Sequence, residues 1–210
     1  MDFTKRHVYM SYLKKLGIIK NETKASEAFE NAISESLFEK LQSQSPSAYV
    51  NACWLRYSRN AADGNGALNG NVFELIIYTL LYKEGVAPFY VQASMTFVPN
   101  VEYDVIIYNK VTPVSLSLKV SLRERYKQAD LEAVALKYVH RKAKAYLLTM
   151  NEDEAKVQTR NLADGKMLGL DKIIYCGSSD LDDLIKELKK LEFTESDSVQ
   201  VVTGRLIKKG

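Results

Sequence analysis

With 210 residues, 46% of them hydrophobic, the chain can bury one sizeable core, and 29 basic against 26 acidic side chains leave it only mildly basic at +3. That balance excludes a histone-like polyelectrolyte, so contact with nucleic acid would have to come from a local basic face. Two histidines, and two cysteines (Cys53 and Cys176) far apart in sequence, argue against zinc and histidine-centred chemistry.

The cysteine usage, a mixed and charged N-terminus without signal-peptide character, and the lack of any run of about 18 apolar residues predict a cytoplasmic chain with no membrane partner. The first elements are helical. Residues 3–17 carry an apolar stripe that ends at Gly17, and residues 22–43 carry a second stripe at helical spacing, from Ala25 to Leu41. Ser45-Pro46 suits a helix start, and the helix that follows mixes Tyr49, Trp54 and Tyr57 with Arg56 and Arg59. Aromatics interleaved with arginines fit a nucleic-acid surface, and equally a core helix whose arginines are solvated. Residues 61–71 (AADGNGALNGN) predict a polar loop, with Asn69 and Asn71 as candidate DNA contacts.

Residues 71–84 (NVFELIIYTLLYKE) form a helix with almost no polar face, and Glu74 interrupts it. A carboxylate in such surroundings costs free energy unless it is paired or binds a cation, or unless it lies on an exposed stripe near the helix N-terminus. Strands are predicted at 87–98, 102–109 and 114–120, the last two joined by a turn at Asn109, Lys110, Thr112 and Pro113. In 114–120 the residues Val114, Leu116, Leu118 and Val120 face one way, and Ser115, Ser117 and Lys119 the other. Pairing the two strands as a hairpin brings Asp104 near Ser117 and Lys119.

A basic helix at 123–140, entered through Ser121, follows; Arg123, Arg125 and Lys127 in its first turn are candidate phosphate contacts or a solvated charged face, Glu132 points back toward Asp104, and Leu131, Val134, Ala135, Tyr138 and Val139 are expected against the sheet. A strand at 143–149, a polar helix at 152–162, a strand at 171–176 and an amphipathic helix at 179–191 complete the body. The tail after 193 has a possible strand at 198–203 and ends in the basic residues Arg205, Lys208 and Lys209; of a disordered end, an arm onto DNA or a partner, and a partly ordered element, the last is favoured.

A carboxylate beside a lysine on neighbouring strands suits metal-dependent phosphodiester chemistry, because oxygen ligands hold a hard divalent cation and an ammonium offsets charge in the transition state. Asp and Lys at this spacing are also common on ordinary hairpins. The order of elements narrows the choice. An apolar helix with a glutamate (GNVFE, Glu74), an aspartate in the second strand (VEYDVII, Asp104), a strand ending in Ser117-Leu118-Lys119 and a basic helix directly after it resemble the PD-(D/E)xK nuclease superfamily over residues 70–149, most closely its type II restriction endonucleases. Two departures stand out: Tyr103 replaces the proline before the aspartate, and Ser117 stands where an acidic residue is usual.

The resemblance implies an α/β (α+β) fold with a restriction-endonuclease-like αβββαβ core, in which a mixed sheet is flanked by helices. It implies a single nuclease domain over 1–210, with residues 1–60 as a helical extension for dimerisation or DNA recognition, 70–149 as the catalytic core and 150–210 as a C-terminal extension. It further implies Mg²⁺ held by Asp104, Glu74 and the Leu118 carbonyl, with Lys119 assisting the attacking water. Glu132 is the other carboxylate able to replace the one absent at Ser117. Double-stranded DNA is the expected partner, cut by a homodimer whose two-fold axis matches a palindromic site. A repair or recombination nuclease of the same fold, and a catalytically inactive DNA-binding member, are the alternatives.

Overall fold

The computed structural model describes residues 11–60, 66–98, 100–196 and 202–209, and among these it forms eight α-helices and one six-stranded mixed sheet. The helices are α1 (Tyr12–Lys15), α2 (Lys24–Ala32), α3 (Glu35–Lys40), α4 (Pro46–Asn60), α5 (Gly66–Glu84), α6 (Arg125–Val139), α7 (Glu152–Ala163) and α8 (Ser179–Leu188). The strands are β1 (Phe89–Met95), β2 (Tyr103–Ile107), β3 (Val114–Leu118), β4 (Lys144–Thr149), β5 (Lys172–Tyr175) and β6 (Val202–Ile207), in the order β5-β4-β3-β2-β1-β6. The pairs β1–β2, β2–β3 and β1–β6 are antiparallel, whereas β3–β4 and β4–β5 are parallel and joined through α6 and α7. The class expected from the sequence, α/β with a mixed sheet flanked by helices, is therefore observed.

The centre of the molecule is α5. Val72, Phe73, Ile76, Ile77 and Leu80 are fully enclosed, each contributing about 1.5–3 kcal/mol by leaving water. A helix apolar on every side needs cover on every side, and α5 lies between α2, α4 and the sheet at β3. Its core continues into Val105, Leu116, Leu118 and Leu148 of the sheet and into α8. The opposite sheet face carries Tyr103, Ile106, Ala145 and Leu147 against α6 and α7. No helix among the described residues is long and apolar enough to cross a membrane. Both thiols are buried, and burial pushes Cys53 up to about 12 and raises Cys176 as well, so neither is a reactive thiolate.

Several expected boundaries shift, each for a local reason. Of the helix expected at 3–17, residues 3–10 lie outside the described residues, and α1 covers one turn before Gly17 turns the chain at φ 71°. The helix expected over 22–43 is broken: Ile33 is extended and fully buried, and Ser34 restarts the helix by accepting a hydrogen bond from the Leu37 amide at 3.4 Å. The polar loop expected at 61–71 is helical from Gly66 onward, where Asn69 accepts a hydrogen bond from the Tyr57 hydroxyl at 2.7 Å; residues 61–65 lie outside the described residues. The strand expected at 198–203 begins at Val202 and runs to Ile207, with 198–201 outside the described residues. Instead of a free arm, the tail contributes β6, hydrogen-bonded along β1.

Both faces of β3 are covered, with Ser115 and Ser117 buried as well as the aliphatic side. One burial expectation is corrected. On α6, the residues turned inward are Ala129, Ala133 and Leu136, while Leu131, Val134 and Tyr138 are exposed. The small alanines let the loop of residues 164–171 press onto the helix. The Asp130 carboxylate accepts the amides of Leu168, Gly169 and Leu170 at 3.1, 2.8 and 3.1 Å. A Cβ at Gly169 would overlap the Asp130 carbonyl and the Val134 amide, which are backbone and cannot rotate away. Gly169→Ala is expected to cost about 1–3 kcal/mol through this overlap. Thermal unfolding reads the loss, and an unchanged midpoint would show the contact to be yielding.

Candidate functional site

The β2–β3 hairpin positions the predicted pair. Asn109 closes its turn by accepting the Val111 and Thr112 amides, both at 2.9 Å. The register sets Val105 opposite Leu116, with Asp104 just beyond the last paired residue. Asp104 Oδ2 accepts a hydrogen bond from the Leu118 amide at 2.6 Å and one from Lys119 Nζ at 2.8 Å. The Lys119 side chain is 15% exposed and that of Asp104 21%, so the ion pair is mostly out of water yet open on one side. Lys119 is itself fixed by its amide, which donates to Leu148 at 3.0 Å as the ladder passes toward β4.

Glu74 approaches from α5. Its Oε2 accepts from the Tyr78 hydroxyl at 3.1 Å, and that hydroxyl also stands 3.4 Å from the Asp104 carbonyl. A single phenolic proton serves one acceptor at a time, so Tyr78 bridges helix and strand without fully satisfying both. Burial, and then the charge of Asp104, push the Glu74 carboxyl up to about 7, against the lowering effect of Tyr78 and Lys119. The Tyr78 phenol is raised well above its ordinary value, chiefly by burial and then by Glu74, so it stays a donor.

Glu132 lies on the α6 side. Its carboxylate accepts from the Gln128 amide at 2.7 Å, and its backbone carbonyl accepts the Tyr103 hydroxyl at 3.1 Å. Burial raises its pKa, and the fields of Lys119 and Asp104 both reach it. Ser117 is buried and brings no carboxylate, and the Leu118 side chain belongs to the core while its amide serves Asp104. Among the described residues no three acidic, histidine or cysteine side chains gather closely enough to enclose a metal. The Asp104 charge acts on both Glu74 and Glu132, adding to burial in raising each carboxyl.

The expected DNA contacts are more scattered. Arg56 and Arg59 are exposed on α4, but the aromatics beside them are not: Tyr49 and Tyr57 are buried and Trp54 packs edge-on against Phe73. Of the two readings of α4, the core helix with solvated arginines is the one observed. Asn69 is taken by Tyr57, whereas Asn71 is exposed and faces a cleft. Arg123, Arg125 and Lys127 are exposed at the start of α6, where Lys127 pairs with Glu124. The helix is entered at Glu124 rather than Ser121, because the Ser121 hydroxyl turns instead to Glu154 at 3.3 Å.

The cleft, of about 630 Å³, opens beside Glu74 and Tyr78 and is bordered by Lys20, Lys24, Gln92 and Arg205. Sequence reasoning missed Lys20, Lys24 and Gln92 and named Arg205 only as part of the tail, since the four come from three separate stretches with no shared motif. The one legible signal was a basic tail, which pointed to the right segment but not to its strand. No family model matches the chain, and neither a curated protein nor a solved structure does.

Proposed function

We propose that this chain is a Mg²⁺-dependent endodeoxyribonuclease of the PD-(D/E)xK kind, acting as a type II restriction endonuclease on double-stranded DNA. The observation that carries the reading is the Asp104–Lys119 pair, 2.8 Å apart at the end of the β2–β3 hairpin, with Glu74 brought beside it by α5. The succession α5-β1-β2-β3-α6-β4, with β3 and β4 parallel, supports it, since this is the αβββαβ order of the resemblance.

The donors fit a hard cation. Asp104 and Glu74 would hold it through carboxylate oxygens, with the Leu118 carbonyl as the third candidate, and its charge would offset the burial and the Asp104 charge that raise Glu74. Bound there, Mg²⁺ supplies a polarised phosphate and a bound water of lowered pKa. Asp104 orients the ammonium of Lys119, and Lys119 directs the water and offsets negative charge gathering on the phosphoryl oxygens. Tyr78 steadies the Glu74 carboxylate, and Glu132 adds negative potential behind the pair. Cutting both strands of a palindromic site takes two such centres, hence a homodimer.

The test is digestion of a long, sequenced DNA with Mg²⁺, beside EDTA. Discrete fragments that vanish with EDTA are expected, and mapping their ends yields the site. Metal-dependent smearing, or cutting confined to branched DNA, would assign a repair or recombination nuclease instead. DNA bound but never cut would make Ser117 the mark of an inactive binding member.

A further inference from the structure

Arg205 is the least explained charge in the protein. It lies on β6 opposite Val91, where the β1–β6 register shifts between Val91 and Ser94. Gly204 permits this approach: it sits at φ 152°, and a Cβ there would come within 2.9 Å of Ala93 Cα. Arg205 borders the same cleft as Tyr78 and Glu74, whose charges act on its guanidinium. Its Nη1 is buried and has no hydrogen-bond partner among the described residues. A buried guanidinium N–H without an acceptor is costly, and native proteins rarely leave one so. The nearby acid does not resolve this, because the Glu74 carboxylate is held by the Tyr78 hydroxyl and no hydrogen bond joins it to Arg205 Nη1.

The rest of the cleft has the same sign. Lys20 and Lys24 are exposed on its rim, Asn71 and Gln92 add amide donors, and Glu74 is the one acid among the residues bordering it. Glu74 and Tyr78 border the cleft, and the Tyr78 hydroxyl also stands 3.4 Å from the Asp104 carbonyl. We propose that it is a subsite for a phosphate ester, holding the backbone phosphate of a nucleotide next to the one whose bond is cut, with Arg205 as the buried contact and Lys20 and Lys24 as the rim. This rests on the nuclease reading of Asp104, Lys119 and Glu74. Arg205 supplies the acceptor-seeking N–H groups in a fixed fork that matches phosphate geometry, and the two lysines supply point charges that draw the strand in.

The experiment is done in EDTA, so that nothing is cut. Inorganic phosphate is titrated into the full chain while the Arg205 side-chain Nε–Hε resonance is followed by NMR. Binding of a short duplex is measured in parallel against salt, for wild type, Arg205→Gln and the double variant Lys20→Gln/Lys24→Gln. The lysines are exposed, so the double variant keeps the fold even if Arg205→Gln does not. The expected result is a saturable shift of the Arg205 resonance, with duplex affinity roughly tenfold lower in each variant and a salt slope reduced by about two in the double variant. An unmoved Arg205 resonance, with variants that bind duplex like wild type, overturns the subsite even if the wild-type protein cuts DNA. A shift with phosphate and no change in duplex binding assigns the cleft to a small phosphate ester, overturning the strand contact. Phosphate bound by a protein with no affinity for duplex does the same and removes the nuclease reading with it.

Discussion

Lys119→Ala is expected to lower the rate of DNA cleavage by roughly a thousandfold, within the range by which positioned charges and proton-handling groups accelerate reactions. The ammonium is the positive charge nearest Asp104, at 2.8 Å. Its removal leaves the Asp104 Oδ2 with the Leu118 amide as remaining donor. The cost to folding is about 1–3 kcal/mol, because a mostly buried carboxylate loses one partner. Duplex binding in EDTA is expected to persist, which separates a failed chemical step from a failed fold. Single-turnover cleavage of a mapped site measures the effect. A Lys119→Ala protein that cuts at even a tenth of the wild-type rate would remove Lys119 from the mechanism.

Glu74→Gln is expected to abolish cleavage and yet to stabilise the protein above neutral pH. Burial and the charge of Asp104 raise the carboxyl to about 7, from 4.5 in the absence of the fold. Below 4.5 it is neutral in folded and unfolded chains alike, and stability is unaffected. As pH rises from there through 7, the unfolded chain loses its proton first, so wild-type stability declines; above 7 the full loss has accrued. Glutamine never ionises, so the variant escapes the decline and is expected to gain about 1–3 kcal/mol at pH 8, with little difference near pH 4. Urea unfolding at the two pH values measures this. Mg²⁺ is expected to stabilise wild type at pH 8 and the variant hardly at all, because ligand that binds the folded state raises its stability. Equal stabilities at pH 8 would show Glu74 to be unstrained.

The hairpin was legible in the sequence because its rules are local. Alternation over 114–118, the Asn109 turn and the short connection set a register that brings Asp104 to Lys119. The apolar run around Glu74 gave away α5 and its odd carboxylate for the same reason. What could not be read depends on tertiary partners. Leu131, Val134 and Tyr138 have helical spacing but lost the inward position to Ala129 and Ala133, because closeness to the neighbouring loop outweighed side-chain size. The stripe over 22–43 is continuous in pattern, and one buried Ile33 followed by a capping Ser34 broke it. Arg205 showed only as part of a basic tail, since its neighbours in space come from residues more than a hundred positions earlier.

That distance has a kinetic side. The Asp104–Lys119 pair closes a loop of 15 residues, whereas the Ser94–Thr203 contact between β1 and β6 closes one of 109. Loop-closure entropy makes the longer closure costlier by about 2 kcal/mol before any strand contact compensates. Contacts of this separation form late on the folding path. The two halves of the site therefore mature in order, the carboxylate–lysine pair with its hairpin and the cleft only when β6 zips onto β1.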